Sequence, residues 1–160
     1  MVQTLTPERL VYDLTVAADP QISPDGTSII YSYSVIANET KQAVHQLWMC
    51  DLDGANRRQL THNGKLNTGA RWSPDGRQIA FVSDRVSKKQ QGIFIMPADG
   101  GEARELLRSH QAISGLAWSP NGGTIAYTAP YDPDNSDGTP PAADDAPRVR
   151  VTRRIDYKQD

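Results

Sequence analysis

The side chains of this chain that could do chemistry are few and scattered. Three histidines, His45, His62 and His110, fall at expected strand ends or turns. None has a nucleophile or further ligand close by, so each reads as a solvated loop residue rather than a base or metal ligand. No Gly-x-Ser-x-Gly elbow occurs, so no hydrolase nucleophile announces itself. No Cys/His spacing fits a zinc site, and every glycine cluster falls at a hairpin turn rather than in a phosphate-cradling loop. Cys50 stands alone in an apolar strand, which excludes an internal disulfide and reads as a buried, inert thiol.

Two charged segments near the end need closer weighing. Asp132-Pro-Asp134-Asn-Ser-Asp137-Gly138 has the flavour of a calcium loop. Counted from Asp132, however, it puts Asp137 where an EF-hand needs glycine and Ala143 where it needs glutamate. A disordered acidic loop is the better reading. Arg148, Arg150, Arg153, Arg154 and Lys158 could bind phosphate or carboxylate. Their alternation with Val149, Val151 and Ile155 equally describes a strand with a solvated basic face, and that reading is preferred. The sequence thus offers no catalytic, cofactor-binding or metal-binding residue, and implies no cofactor.

What the sequence specifies strongly is a repeat. Ile22-Ser-Pro-Asp-Gly26, Trp72-Ser-Pro-Asp-Gly76 and Trp118-Ser-Pro-Asn-Gly122 are each followed by apolar β-formers. Proline presets φ at the second turn position, Asp or Asn suits the third, and glycine supplies the left-handed residue. Each copy therefore predicts strand, three-residue bulged hairpin loop, strand. A second hairpin follows the first two copies, at Leu52-Asp-Gly54 and Ala98-Asp-Gly-Gly101. Two hairpins make a four-stranded antiparallel unit of propeller-blade length.

The spacings agree with this division. Ser23 to Ser73 is 50 residues and Ser73 to Ser119 is 46, while Gly54 to Ser73 and Gly100 to Ser119 are both 19. The excess lies at about 34–44, and reads as an insertion confined to one loop of blade one. The expected organisation is all-β: a short helix over 6–14, blade one over 18–61, blade two over 69–108, and part of a third over 114–160. The third is interrupted by a loop over 130–147 carrying five prolines, five aspartates and no basic residue. A closed propeller needs at least four blades, so the expectation is an incomplete propeller that is part of something larger. Trp48, Trp72, Trp118 and Phe81 are expected as core between blades.

Bulk properties exclude other classes. A formal net charge of -2 predicts no general attraction to nucleic acid or anionic membrane. No apolar run is long enough to cross a bilayer as a helix. The start Met1-Val-Gln-Thr-Leu5 lacks the basic and apolar regions of a secretory signal, so a cytoplasmic location is expected.

Leu5-Thr-Pro-Glu-Arg-Leu10, Asp19-Pro-Gln-Ile-Ser-Pro-Asp-Gly26, Leu47-Trp-Met-Cys-Asp-Leu-Asp-Gly54 and Trp72-Ser-Pro-Asp-Gly76 occur in that order. With Val151-Thr-Arg-Arg-Ile-Asp-Tyr157 they resemble the N-terminal propeller of prolyl oligopeptidase-family serine peptidases, in the acylaminoacyl-peptidase-like branch. The resemblance implies a propeller that restricts entry to short peptides, with a Ser-Asp-His triad on a separate C-terminal α/β-hydrolase domain. No residue of 1–160 takes a triad role. Implied partners are the remainder of the propeller, the hydrolase domain (possibly as a separate chain) and short peptides. The alternative is a non-enzymatic TolB-type propeller serving as a protein-interaction module.

Overall fold

The computed structural model describes residues 14–37, 40–87 and 90–130. Leu14 and Pro130 aside, the expected helix over 6–14, the acidic loop over 130–147 and the basic strand from Arg148 lie outside them.

Among the described residues all regular structure is antiparallel sheet. The first sheet is the meander β1 (Thr15–Ile22), β2 (Ser28–Ala37), β3 (Gln42–Asp51) and β4 (Arg58–Gln59). The second repeats it with β5 (Asn67–Trp72), β6 (Gln78–Ser87), β7 (Gln90–Pro97) and β8 (Arg104–Ser109). A third begins with β9 (Ser114–Trp118) and β10 (Ile125–Thr128). This is the expected all-β architecture of two blades and part of a third.

The sheets are splayed like propeller blades. The backbone of β5 approaches β1 on one side and β9 on the other, whereas the backbones of β4 and β8 approach no neighbouring sheet. The blades therefore converge at the first strand of each, which places β1, β5 and β9 nearest the common axis. Strand alternation sends successive residues into opposite inter-blade cores. In β6, Ile79 and Phe81 face blade one while Ala80 and Val82 face blade three; in β7, Phe94 and Met96 oppose Ile93 and Ile95 in the same way. Blade two is thus apolar on both faces.

Each innermost strand carries a bulge at the same repeat position. Asp19, Gly69 and Gly115 lie four residues before the repeat serine and have φ of 50°, 65° and 61°. Glycine suits this left-handed position; in blade one an aspartate occupies it. Its carboxylate compensates by accepting a 2.8 Å ion pair from Arg71 Nη1 in blade two.

Two sequence expectations need correction. Segment 34–44 is no isolated loop: β2 and β3 stay paired from Ser28↔Asp51 out to Ala37↔Gln42. β3 has 10 residues against 8 in its counterpart β7, so part of the excess lengthens that arm of the hairpin. The repeat turn is likewise a four-residue loop, because Ser23 N–H reaches Ser28 O and Ser73 N–H reaches Gln78 O. The three-residue bulged loop occurs at the other hairpin, where Asp51 N–H bonds Ala55 O and Gly54 N–H bonds Asp51 O.

The extra residue is accommodated by the repeat serine. Ser73 Oγ donates to Asp75 Oδ1 (2.6 Å) and accepts the Gln78 N–H (2.9 Å), while Asp75 also takes the Arg77 N–H. Ser23 with Asp25 and Ser119 with Asn121 repeat the arrangement. Ser73 is buried, so Ser73→Ala, which orphans the Gln78 N–H, is expected to cost about 1–3 kcal/mol in chemical denaturation. The serine hydroxyls, followed by the backbone N–H groups, hold the Asp25 and Asp75 carboxyls below the usual aspartate range. A depressed folded pKa stabilises above the ordinary value of about 3.9 and is lost as pH falls through the folded value. Protection of the Ser28 and Gln78 amides should therefore drop below about pH 4. Thr124, locked by the non-titrating Asn121, should keep its protection.

Candidate functional site

The two rims of the blade array differ in chemistry. On one, consecutive repeat turns and the β3–β4 and β7–β8 loops are stitched together by Leu52 N–H to Thr27 O and Ala98 N–H to Arg77 O. A cleft of about 510 Å³ opens there between blades one and two, over Met49 and Trp72 and beneath Asp25, Asp75 and Asp99. Arg58 crosses it, donating to Asp99 O (2.9 Å) and Ala98 O (3.2 Å). Its donors thus tie blade one to the β7–β8 loop, while the Asp25 and Asp75 carboxylates hold their own turns.

The tryptophans of the repeat also join blades. Trp72 Nε1–H donates to Gln21 O (3.2 Å), and Trp118 Nε1–H to Arg71 O (3.1 Å). Each indole reaches the residue before its counterpart in the preceding blade. Trp72, Trp118 and Phe81 pack in the cores between the described blades as expected, while Trp48 lies on the face of blade one turned away from blade two. Leu47 and Met49 point to blade two, so alternation turns Trp48 to the opposite face. There it meets Tyr33 edge-on at 5.6 Å, and the Arg57 guanidinium lies over both rings. Hydrogen bonding to the Tyr31 hydroxyl raises the Arg57 pKa. Cys50 is buried and free.

On the opposite rim lies a buried polar network that the sequence did not reveal. Asn67, the first residue of β5, is 0% exposed. Its Nδ2 contacts His45 O (3.3 Å), Gln46 Oε1 (3.0 Å) and Asn63 O (3.0 Å). Its Oδ1 accepts from Ser83 Oγ (2.8 Å) and Arg85 Nη2 (3.2 Å). Thr61 Oγ1 donates to Gln46 Oε1 and takes the Leu47 N–H. Asp84 Oδ1 accepts the Lys65 and Leu66 N–H groups. The β4–β5 loop is therefore fixed from both blades.

The histidines are not brought together. His62 and His110 are exposed. His45 departs from expectation by lying within β3, half-buried and opposite Ser34. Gln90 Nε2 lies 2.7 Å from His110 Nε2, beside a cleft of about 370 Å³ lined by Asp84, Gln91 and Gln111. Among the described residues no group of three or more His, Cys, Asp or Glu could hold a metal ion, and no helix is long and apolar enough to cross a membrane. The described residues present fixed donors and acceptors, with Lys65, Arg71 and Arg85 half-buried among them.

Comparison with known proteins fits this geometry. The PD40 family model, described as a TolB β-propeller domain, matches residues 2–136. Over 78 residues the chain is 38% identical to the uncharacterized peptidase YuxL of Bacillus subtilis, a match covering 49% of this chain and 12% of that protein. Over 86 residues it is 34% identical to dipeptidyl-peptidase 5 of Porphyromonas gingivalis, covering 54% and 12%. The chain thus spans about an eighth of the length of these curated relatives. The propeller domain of the trilobed protease from Pyrococcus furiosus superposes with a TM-score of 0.60 at 20% identity, covering 72% of this chain and 34% of that one.

Proposed function

From the premise that this chain belongs to the PD40 family of TolB β-propeller domains, we propose that it is a propeller segment of a prolyl oligopeptidase-family serine peptidase. In this reading it gates the access of short peptides to a hydrolase domain carried elsewhere. The observation that carries it is the pair of peptidase relatives, 38% and 34% identical over about half of the chain. The geometry is in keeping: blades one and two are tied to each other at both rims. Chemistry would come from an activated serine outside this segment, by acyl transfer. The proposal extends to a cytoplasmic location.

The second reading, a non-enzymatic interaction module, is favoured by the TolB character of the family itself. The two part cleanly in the complete polypeptide. The peptidase reading expects a fluorophosphonate to label one serine and block cleavage of short acylated or dipeptidyl chromogenic substrates. Absence of both labelling and cleavage, with further repeats in place of a Gly-x-Ser-x-Gly elbow, would sink it.

A further inference from the structure

Arg85 is held as few surface arginines are. Its guanidinium carbon lies 4.9 Å from the Phe81 ring centroid and 4.8 Å from that of Phe94. Nε–H donates to Ser83 Oγ (3.1 Å) and Nη2 to Asn67 Oδ1 (3.2 Å). Both acceptors are neutral. The ion pairs among the described residues are Arg71–Asp19 and Arg108–Glu105, so no described carboxylate is in contact with Arg85. Asp84 is close in sequence, but its Oδ1 serves the Lys65 and Leu66 amides.

The cation is therefore partly desolvated and rigid, with neutral groups as its hydrogen-bond acceptors. Burial lowers its pKa, while the charge of Asp84 opposes that shift. Loss of water favours recruitment of an anion, and the ring faces offset part of that loss. The neutral acceptors occupy the Nε and one Nη2 position, so the Nη1/Nη2 end of the fork is unused. Two parallel N–H groups at that end match a carboxylate. The Asn67↔Ser83 pair sets this fork at the rim end of the strand nearest the axis.

We propose that Arg85 is a carboxylate-binding residue at the inner rim, taking either the C-terminal carboxylate of a peptide or an acidic side chain of a domain seated on that rim. Its choice of sources rests on the peptide-handling reading above; its chemistry does not.

Titration calorimetry of the intact protein, with any reactive serine first blocked by a fluorophosphonate, tests this. The probes are acetyl-Ala-Ala with a free carboxylate, its C-terminal amide, and acetyl-Ala-Glu-Ala-amide. Saturable binding of a carboxylate probe, at least about tenfold tighter than the amide, is expected, since a hydrogen bond to a charged group contributes about 1.5–3 kcal/mol. Preference for the first probe indicates a peptide terminus, and preference for the third an acidic side chain. Arg85→Gln should abolish the difference. Arg85→Lys, which keeps charge and fold but loses the planar fork, should weaken binding about tenfold. Equal binding of the amide, no saturable binding, or unchanged affinity in Arg85→Lys overturns the proposal. Fluorophosphonate labelling of Arg85→Lys reports separately on the peptidase reading.

Discussion

Replacing Asn67 with alanine is expected to destabilise the blade pair by about 3–5 kcal/mol, among the larger effects for a single polar side chain. The side chain is 0% exposed and bonds to both blades. Its removal leaves Asn63 O and one lone pair of Gln46 Oε1 without their donor, and Ser83 Oγ without its acceptor. Each buried group left unmatched costs about 1–3 kcal/mol. Asn67→Asp is a sharper test. It would give Arg85 a carboxylate, but would also turn an anionic oxygen toward His45 O, Gln46 Oε1 and Asn63 O. We expect it to be at least as damaging as alanine. Urea denaturation of the three proteins checks this; a loss below about 1 kcal/mol would show that water replaces the network.

The contrast between the two rims explains what could be read from sequence. The turns were legible because proline, aspartate and glycine act locally, through φ and short-range hydrogen bonds. The unbroken apolar runs Ile79–Val82 in β6 and Ile93–Met96 in β7 suit strands buried on both faces. The lock serines were missed although each turn copy has one. Ser73 works through a hydrogen bond to Gln78, five residues ahead, and the loop must be one residue longer for that bond to form. The left-handed position at Asp19, Gly69 and Gly115 was equally periodic, yet the aspartate in the first copy masked it. The sequence does not decide which face of blade one carries Trp48, because an aromatic residue suits either face. Only the register of Leu47 and Met49 toward blade two decides between them.

The Asn67 and Arg85 cluster was illegible for a different reason. Its members come from the middle of β3, the β4–β5 loop, the start of β5 and the far part of β6, and no spacing links them. A buried amide that unites separate elements looks, in sequence, like any loop asparagine. Carboxylate capture by Arg85 depends on that same non-local assembly.

Phe81→Ala should match the Asn67 effect by another route, costing about 3–5 kcal/mol as a fully buried aromatic truncation. Phe81 is 0% exposed and packs on Phe94 at 6.0 Å in the core between blades one and two. Phe81→Leu retains most of the volume and should cost roughly 1–2 kcal/mol. The leucine variant still removes one of the two ring faces beneath Arg85, which contributes about 0.5–2 kcal/mol to holding a cation. Asn67 and Phe81 therefore share a partner, and their substitutions should not be additive. Once Phe81→Leu has loosened the guanidinium, Asn67→Ala has less order left to destroy. A double-mutant cycle should show the pair less destabilised than the sum of the singles by about 0.5–1 kcal/mol. Additivity within error would separate the aromatic core from the polar network and leave Arg85 held by Asn67 and Ser83 alone.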